Sequence, residues 1–328
     1  MYKSFILSTG SYLPEKILNN DDIASKVDTN DEWIKKRTGI FQRHIADKKE
    51  LTSDLAVKAS ENAIKNAKIT VNDIDLIIVA TTTPDKTFPS CATIVQNKLK
   101  CKNAFAFDIQ AACSGFIYAV TVADSLIKSN DKIKHALVIG AETMSRIINW
   151  EDRSTCILFG DGAGAVIMKS IAYCETNSLT QKSLKGIIST SLYSDGNIDI
   201  LQTNGGVSST GSSGIICMNG REVFKHAVDK LVFSVQEILN CNDLKISDVD
   251  WLIPHQANTR IIELVTEKLN FPTEKVINTV DKHANTSSAS IPLAFNLGIQ
   301  ESKIKQGDIL MLAAIGAGLT WGSVLLRY

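Results

Sequence analysis

The feature that most narrows what this chain can fold into is an internal repeat. The segment VNDIDLIIVA (71 to 80) returns as ISDVDWLIPH (246 to 255), so that Asp75 pairs with Asp250 at an offset of 175 residues. The offset persists downstream: Cys113 maps to position 288 inside HANTSSASIPLAF, and ALVIGA (136 to 141) maps to Met311 to Gly316. Ahead of each copy runs a long amphipathic segment, 53 to 68 and 221 to 240, and SDLAVKASENAIKNAK opens on capping residues. Short β-rich runs such as LIIVATT (76 to 82) alternate with helical periods, an α/β pattern. A chain of 328 residues is long enough for two such units. The expected organisation is therefore two βαβ-rich halves, 1–170 and 171–328, related by a pseudo-twofold.

Composition excludes several classes. Lys+Arg and Asp+Glu both total 35, so nothing global recruits nucleic acid or an anionic membrane. The longest nearly apolar stretch, Ile309 to Leu319, has 11 residues, too short for a membrane span. No basic-then-apolar leader opens the chain, so Met1 is the expected mature start and the cytoplasm the expected compartment. Seven dispersed cysteines show no CxxC pair and no zinc-type histidine spacing, so neither disulfides nor a metal site are expected. Six of the seven read as small buried apolar residues.

The seventh is Cys113 in FDIQAACSGFIYAV, at a strand-to-helix turn among small residues that leave room beside the sulfur. The positive end of a helix dipole and a nearby imidazole are expected to lower its thiol pKa from the free value of about 8.5. In α/β folds chemistry gathers at strand C-terminal ends, and Ala80, Cys113, His255 and Asn285 all map to such ends. Position 80, an alanine in the first half, has become His255 in the second. One half thus supplies a nucleophile, the other a histidine and an asparagine. Cys113, His255 and Asn285 also occur in the chain order of papain-like hydrolases, 142 residues separating the first two, although the CGSC[WY] signature is missing.

The motifs DEWIKKRTGI, AACSGFIYA, DRSTCILFGDGAGAVI, PHQAN, HANTS and GAGLTWGS follow in that order between residues 31 and 323. Together they resemble the 3-oxoacyl-acyl-carrier-protein synthase III family of the thiolase superfamily. The resemblance implies a duplicated, layered αβαβα fold and a homodimer. It implies decarboxylative Claisen condensation of acetyl-coenzyme A, or another short acyl-coenzyme A, with malonyl-acyl-carrier-protein, without a cofactor. Carried across residue by residue, it makes Cys113 the acyl acceptor and the backbone N–H groups of Cys113 and Ala317 the oxyanion donors. His255 and Asn285 hold the malonyl thioester oxygen, each such donor being worth about 3 kcal/mol in the transition state.

The same resemblance assigns Trp33 and Arg153 to an adenine sandwich, Thr29 to an adenine contact and Arg37 to a phosphate contact. Phe88 lines an acyl pocket across the dimer interface, and Phe224 stands beside the decarboxylation site. Lys225, Gln256, Arg260 and Lys268 meet the acidic carrier protein. Ala284 and Ala317 replace glycines common in the family, adding a methyl each and bearing on pocket width. The glycines of FGDGAG (159 to 164) lack the spacing of a dinucleotide or phosphate loop and read as tight turns. Priming of a polyketide pathway by the same chemistry, and Cys-His-Asn hydrolysis, remain as alternatives; release of CO₂ from malonyl thioesters separates the last from the others. A biosynthetic thiolase needs a second cysteine near the C-terminal glycine turn, and 311 to 323 contain none.

Overall fold

A computed structural model describes residues 2–172 and 185–328; Met1 and Cys174 lie outside the described residues. In chain order the first part comprises β1 (Tyr2–Tyr12), β2 (Lys16–Asn19), α1 (Asn20–Ala24), α2 (Asp31–Thr38), β3 (Gln42–Ile45), α3 (Thr52–Ala67), β4 (Leu76–Ala80), α4 (Cys91–Leu99), β5 (Phe105–Ile109), α5 (Gly115–Ser129), β6 (His135–Thr143), α6 (Arg153–Cys156) and β7 (Asp161–Ala172). The second comprises β8 (Gly186–Ser194), β9 (Leu201–Thr203), α7 (Val207–Thr210), β10 (Ile216–Met218), α8 (Gly220–Asn240), β11 (Trp251–Pro254), α9 (Thr259–Leu269), α10 (Val280–His283), α11 (Ser290–Gln300), β12 (Ile309–Gly316) and β13 (Thr320–Arg327).

The two main sheets have matching orders, β1-β7-β6-β4-β5 and β8-β13-β12-β11. The corresponding pairs β6-β4 and β12-β11 are parallel, the pairs on the side of β1 and β8 are antiparallel, and β4-β5 adds a second parallel pair to the first sheet. Among the described residues the second sheet has no fifth strand, its place being marked by a single parallel bridge, Leu252 to Val276. The expected strand before position 288 is accordingly absent: the segment opposite β5 is the short helix α10, followed by Asn285 bridging to Phe159.

Why the β runs are continuously apolar follows from the layers. Ile77 and Val79 face a core formed with α3 and α4, whereas Leu76, Ile78 and Ala80 face one formed with α5 and α11. On the other side Leu310 and Leu312 join that same central core, and Met311 and Ala313 face α8 and α9. Both faces of each sheet are therefore buried, and period-two alternation of hydrophobicity disappears. The result is the five-layer αβαβα arrangement, with α5 and α11 in the middle. Among the described residues no helix is long and apolar enough to cross a membrane.

The repeat holds in the backbone as well as in the sequence. Ala112 and Ser287, at the offset of 175, both take a left-handed backbone, φ 44° and φ 50°, in the turns that open α5 and α11. Along β12, however, the register slips by one. Leu76 pairs with Ala136 and its counterpart Trp251 pairs with Leu310, so ALVIGA matches 310 to 315 and not 311 to 316. Glu142 then corresponds to Gly316.

Several local expectations are corrected. The capping candidate Ser53 sits inside α3, its hydroxyl on Asp85, and Asp54 closes the helix start by accepting the Leu51 N–H. Cys217 and Cys241 are exposed, not buried. Gly162 and Gly164 lie within β7, where α11 approaches closely: a Cβ on Gly164 would come within 2.7 Å of the Leu293 nitrogen.

Turns from one half seat on strands of the other through missing side chains. A Cβ on Gly140 would lie 2.3 Å from the Ser288 carbonyl oxygen, and one on Gly316 would lie 2.7 Å from the Cys113 nitrogen. Both neighbours are backbone, with nothing flexible to yield. Gly140→Ala is therefore expected to destabilise the fold by roughly 1–3 kcal/mol, the range of overpacking, measured as a lowered thermal unfolding midpoint; an unchanged midpoint contradicts this account of the seating.

Candidate active site

Cys113, His255 and Asn285 line one cavity of about 610 Å³. Cys113 also lines a second, of about 460 Å³, with Thr82, Met144, Ile147, Ile216 and Ala317 on its walls. Phe159 and Leu201 border both, so the sulfur stands where two compartments meet. Among the described residues the N–H groups of Cys113 and Ala317 donate to no backbone carbonyl, and that of Cys113 is directed at its own sulfur.

Each polar side chain is oriented by a neighbour. His255 follows β11 directly and is anchored by its N–H on the Ala313 carbonyl. Its Nδ1 lies 2.7 Å from Ser290 Oγ, which also accepts the Gln256 N–H at 3.3 Å. Among the described residues the Ser290 hydroxyl has no acceptor other than Nδ1. Its proton therefore goes there, and the imidazole keeps its own proton on Nε2. Asn285 is fixed in the same way: its Oδ1 accepts the Ser287 N–H at 2.9 Å, leaving the Nδ2 hydrogens as its free donors. Its backbone is held on both sides, the Gly160 N–H donating to the Asn285 carbonyl and the Asn285 N–H to Leu158.

Burial sets the charges. It raises the Cys113 thiol to about 12, with the Ser287 hydroxyl working in the opposite direction and the Glu142 charge adding to the rise. The expected lowering is overturned because a helix dipole contributes about 0.3–1 kcal/mol, less than one pKa unit at about 1.4 kcal/mol, while full burial moves a group by up to about 3–5 units. Burial likewise lowers His255 to about 3. The resting pair is a thiol and a neutral imidazole.

The entrance to the larger cavity is built by α2. Asn30 caps it by accepting the Trp33 N–H at 2.8 Å, and Gly39 ends it in a left-handed conformation, φ 74°. Trp33, Arg37, Phe224 and Arg260 line this cavity. The guanidinium carbons of Arg153 and Arg37 stand 4.8 and 5.1 Å from the Trp33 ring centroid. An aromatic ligand stacking on Trp33 has to replace one of them. Arg153 also donates to the Asp28 carbonyl, and beside it the buried Thr29 hydroxyl has no partner among the described residues.

Other expected site residues fall elsewhere. Phe88 is 83% exposed and lines neither cavity. Lys225, Arg260 and Lys268 are exposed on α8 and α9, with Lys268 paired to Asp229 at 3.0 Å and Arg260 over Phe224. Gln256 does not belong with them. It is fully buried, donates to the Pro254 and Ile277 carbonyls and accepts from the Thr279 N–H, so no docking protein reaches it. Ala284 lines neither cavity; its methyl sits in the core beside Ile40 and Val280 at φ 57°, ψ −161°, so it bears on backbone strain and not on pocket width.

Sequence reasoning missed Glu142, Ser287 and Ser290. Glu142 was visible as a carboxylate at the end of an apolar strand, and the serines as the polar excess in HANTSSAS. Among the described residues no group of three or more His, Cys, Asp or Glu could hold a metal.

Comparison with known proteins agrees along the whole chain. Residues 107–196 match the family 3-Oxoacyl-[acyl-carrier-protein (ACP)] synthase III, and residues 239–328 match 3-Oxoacyl-[acyl-carrier-protein (ACP)] synthase III C terminal. The chain is 75% identical over 328 residues, 100% of both proteins, to a Beta-ketoacyl-[acyl-carrier-protein] synthase III of Wolbachia pipientis wMel. The crystal structure of 3-oxoacyl-[acyl-carrier-protein] synthase III from Aquifex aeolicus VF5 is similar at TM-score 0.90 and 47% identity, over 99% of this chain and 100% of that one. The priming beta-ketosynthase from the R1128 polyketide biosynthetic pathway is similar at TM-score 0.91 and 32% identity, over 99% and 96%.

The tautomer can be read directly. Nitrogen NMR is expected to show His255 neutral and protonated on Nε2 throughout pH 5 to 8, since its pKa lies near 3; an imidazole titrating near its ordinary value of about 6.5 contradicts the burial argument.

Proposed function

The chain belongs to the 3-oxoacyl-[acyl-carrier-protein] synthase III family, and from that membership we propose how its residues divide the reaction. The enzyme is an acyltransferase that initiates fatty-acid synthesis by decarboxylative condensation. In our reading it takes an acyl group from acyl-coenzyme A, acetyl being the simplest, onto Cys113, and joins it to malonyl-acyl-carrier-protein. No cofactor is needed, and the cytoplasm is its compartment.

In the first half-reaction Cys113 Sγ attacks the thioester carbonyl. The N–H groups of Cys113 and Ala317 receive the oxyanion, donors already in place and bound to no backbone carbonyl before charge develops. Coenzyme A lies in the larger cavity, adenine on Trp33 with Arg153, Thr29 at its edge and Arg37 near phosphate. In the second half-reaction the malonyl thioester oxygen accepts from His255 Nε2–H and Asn285 Nδ2–H as CO₂ leaves. The carbanion then attacks the acyl-Cys113 carbonyl.

The observation that carries this reading is the fixed direction of the two donors. Ser290 ties off His255 Nδ1 and Ser287 ties off Asn285 Oδ1, in the cavity that Cys113 also lines. We place the nucleophile in half 1–170 and both donors in half 171–328. A homodimer is supported by β5, the edge strand of its sheet, with Phe105 and Phe107 stacked at 6.4 Å and Phe105 exposed. Exposed Phe88 would then complete the acyl pocket of the second protomer. Lys225, Arg260 and Lys268 would meet the carrier protein, Lys268 only after releasing Asp229. Polyketide priming rests on a relative at 32% identity, against 75% for the fatty-acid synthase reading.

Two experiments check the assignment. Asn285→Ala is expected to cut CO₂ release from malonyl thioester by roughly a hundredfold or more while Cys113 still takes up an acetyl label. Retained CO₂ release with lost acetyl uptake would reverse the roles. Trp33→Ala is expected to raise KM for acyl-coenzyme A with kcat nearly constant, the mark of uniform binding energy; an unchanged KM removes Trp33 from the coenzyme A site.

A further inference from the structure

The two half-reactions leave one proton without a place to go inside the site. Cys113 attacks as a thiolate, so its thiol has to lose a proton in a buried position. His255 is not placed to take it, because Nε2 already carries a hydrogen and Nδ1 is held by Ser290. Of the carboxylates buried among the described residues, Asp124, Glu142 and Asp161, Glu142 is the one that hydrogen-bonds a side chain of the Cys113 cavity, Ser287. Asp124 pairs with Lys128, and Asp161 is occupied by Ser145 and the Ala46 N–H.

Glu142 is fully buried at the C-terminal end of β6. Its Oε1 accepts from the hydroxyls of Ser287 at 3.2 Å and Ser288 at 2.8 Å. Its Oε2 accepts from Thr83 Oγ1 at 2.7 Å, the Thr82 N–H at 3.1 Å and, more weakly, Thr81 Oγ1 at 3.2 Å. Ser287 in turn lines the same cavity as Cys113, where its hydroxyl favours the thiolate. No cation pairs with Glu142 among the described residues. The titratable groups it acts on are Cys113 at the start of α5 and Cys91 at the start of α4; Asp161 pairs with Thr143 and lies on the other face of the sheet, and His255 is neutral. Burial raises the Glu142 carboxyl, and the hydrogen bonds from Thr83, Ser288 and Thr82 work in the opposite direction. A carboxylate kept in the core without a counter-ion, solvated by hydroxyls one of which stands in the Cys113 cavity, is built to change protonation and not to hold an ion pair.

We propose that Glu142 takes the Cys113 proton through the Ser287 hydroxyl during acylation and returns it when the product leaves. This rests on the condensing reading above. The Cys113 S–H bond breaks, Ser287 Oγ receives that proton and passes its own to Glu142 Oε1, and the thiolate forms a bond to the acyl carbon. The bond from that carbon to coenzyme A sulfur breaks, and the coenzyme A thiolate takes a proton from water. After CO₂ departs, the new carbon–carbon bond forms and the Cys113 sulfur–carbon bond breaks. Glu142 then returns its proton through Ser287 to the thiolate. One proton is consumed per turnover, as decarboxylative condensation requires, and the Glu142 proton is stored and restored. Glu142 acts through Ser287 and is a positioning residue for the proton, not a group that touches substrate.

The test separates a proton acceptor from a fixed negative charge. Single-turnover acetyl loading of Cys113 from acetyl-coenzyme A is followed by mass spectrometry from pH 6 to 9 in the full-length protein, its Glu142→Gln variant and its Ser287→Ala variant. Peptide-resolved iodoacetamide labelling of Cys113 and CO₂ release from a malonyl thioester are measured alongside. In the unaltered protein loading is expected to change little with pH, because the proton stays within the pair. In Glu142→Gln it falls roughly a hundredfold at pH 7 and climbs about tenfold per pH unit as solvent takes over, while CO₂ release falls far less; Ser287→Ala shows the same slope. Faster iodoacetamide labelling in Glu142→Gln would make Glu142 a static charge, and an unchanged loading profile, or equal loss of both half-reactions, would make it structural. Each overturns the proposal. Should Glu142→Gln not fold, Ser287→Ala decides by the same slope. Failure of the unaltered protein to load acetyl at all sinks the condensing reading itself, a result separate from any variant's behaviour.

Discussion

The site depends on how each half's turn seats on the central strand of the other. The turn that carries Cys113 rests on β12, and Gly316 makes room for it; the turn that follows Asn285 rests on β6 beside Gly140. Both turns need a residue with a left-handed backbone, Ala112 and Ser287, so the two seatings are copies of one design. The strand register makes Glu142 the counterpart of Gly316. Beneath the Cys113 turn, then, the opposing strand offers a bare backbone at Gly316. Beneath the turn that follows Asn285 it offers a carboxylate that gathers Ser287 and Ser288. Duplication supplied the frame, and one residue per strand turned the two copies to different tasks.

Burial, more than pairing, decides which groups carry charge. Cys113 and His255 are each pushed toward their neutral forms, and neither gains an opposite charge large enough to reverse it. The helix dipole at the start of α5 is real but small against full desolvation. A thiol that rests protonated is protected from adventitious oxidation and alkylation, and its activation has to come with the substrate. A similar economy holds at the entrance, where Arg153 and Arg37 already stack on Trp33 and hold its ring in place before a ligand exchanges for one of them.

Much of this was legible because it is local or repeated. The repeat announced two sheets of the same order, and the alternation of strand and helix periods announced the layers. The turn, cap and motif residues around Cys113, His255 and Asn285 are encoded within a few positions of each. What escaped depends on distant packing. Glu142 meets Ser287 across 145 positions, and nothing in ALVIGAET says which turn its carboxylate will reach. The sign of the Cys113 shift follows from burial, which no local pattern reports. Gln256 stands in a motif beside exposed residues, yet its amide is consumed by backbone groups of β11 and the loop before α10. The one-residue slip along β12 is set by pairing with β11, and sequence similarity alone cannot see it.

The chain order Cys, His, Asn also serves hydrolases, and the difference between the two chemistries comes down to a proton on one ring nitrogen. In a hydrolase the histidine accepts from the cysteine at the nitrogen facing it, and the asparagine orients the ring. Here the ring is oriented by Ser290, which donates to Nδ1 and so obliges Nε2 to be a donor. Asn285 is not bound to the ring; its oxygen is spent on the Ser287 N–H. In the proposed arrangement two neutral donors therefore converge on the place where an enolate oxygen forms, and neither is available to activate water. In that arrangement removing the base function from histidine is what calls for a separate acceptor for the Cys113 proton, and Glu142 holds the hydroxyl of Ser287, which stands in the Cys113 cavity.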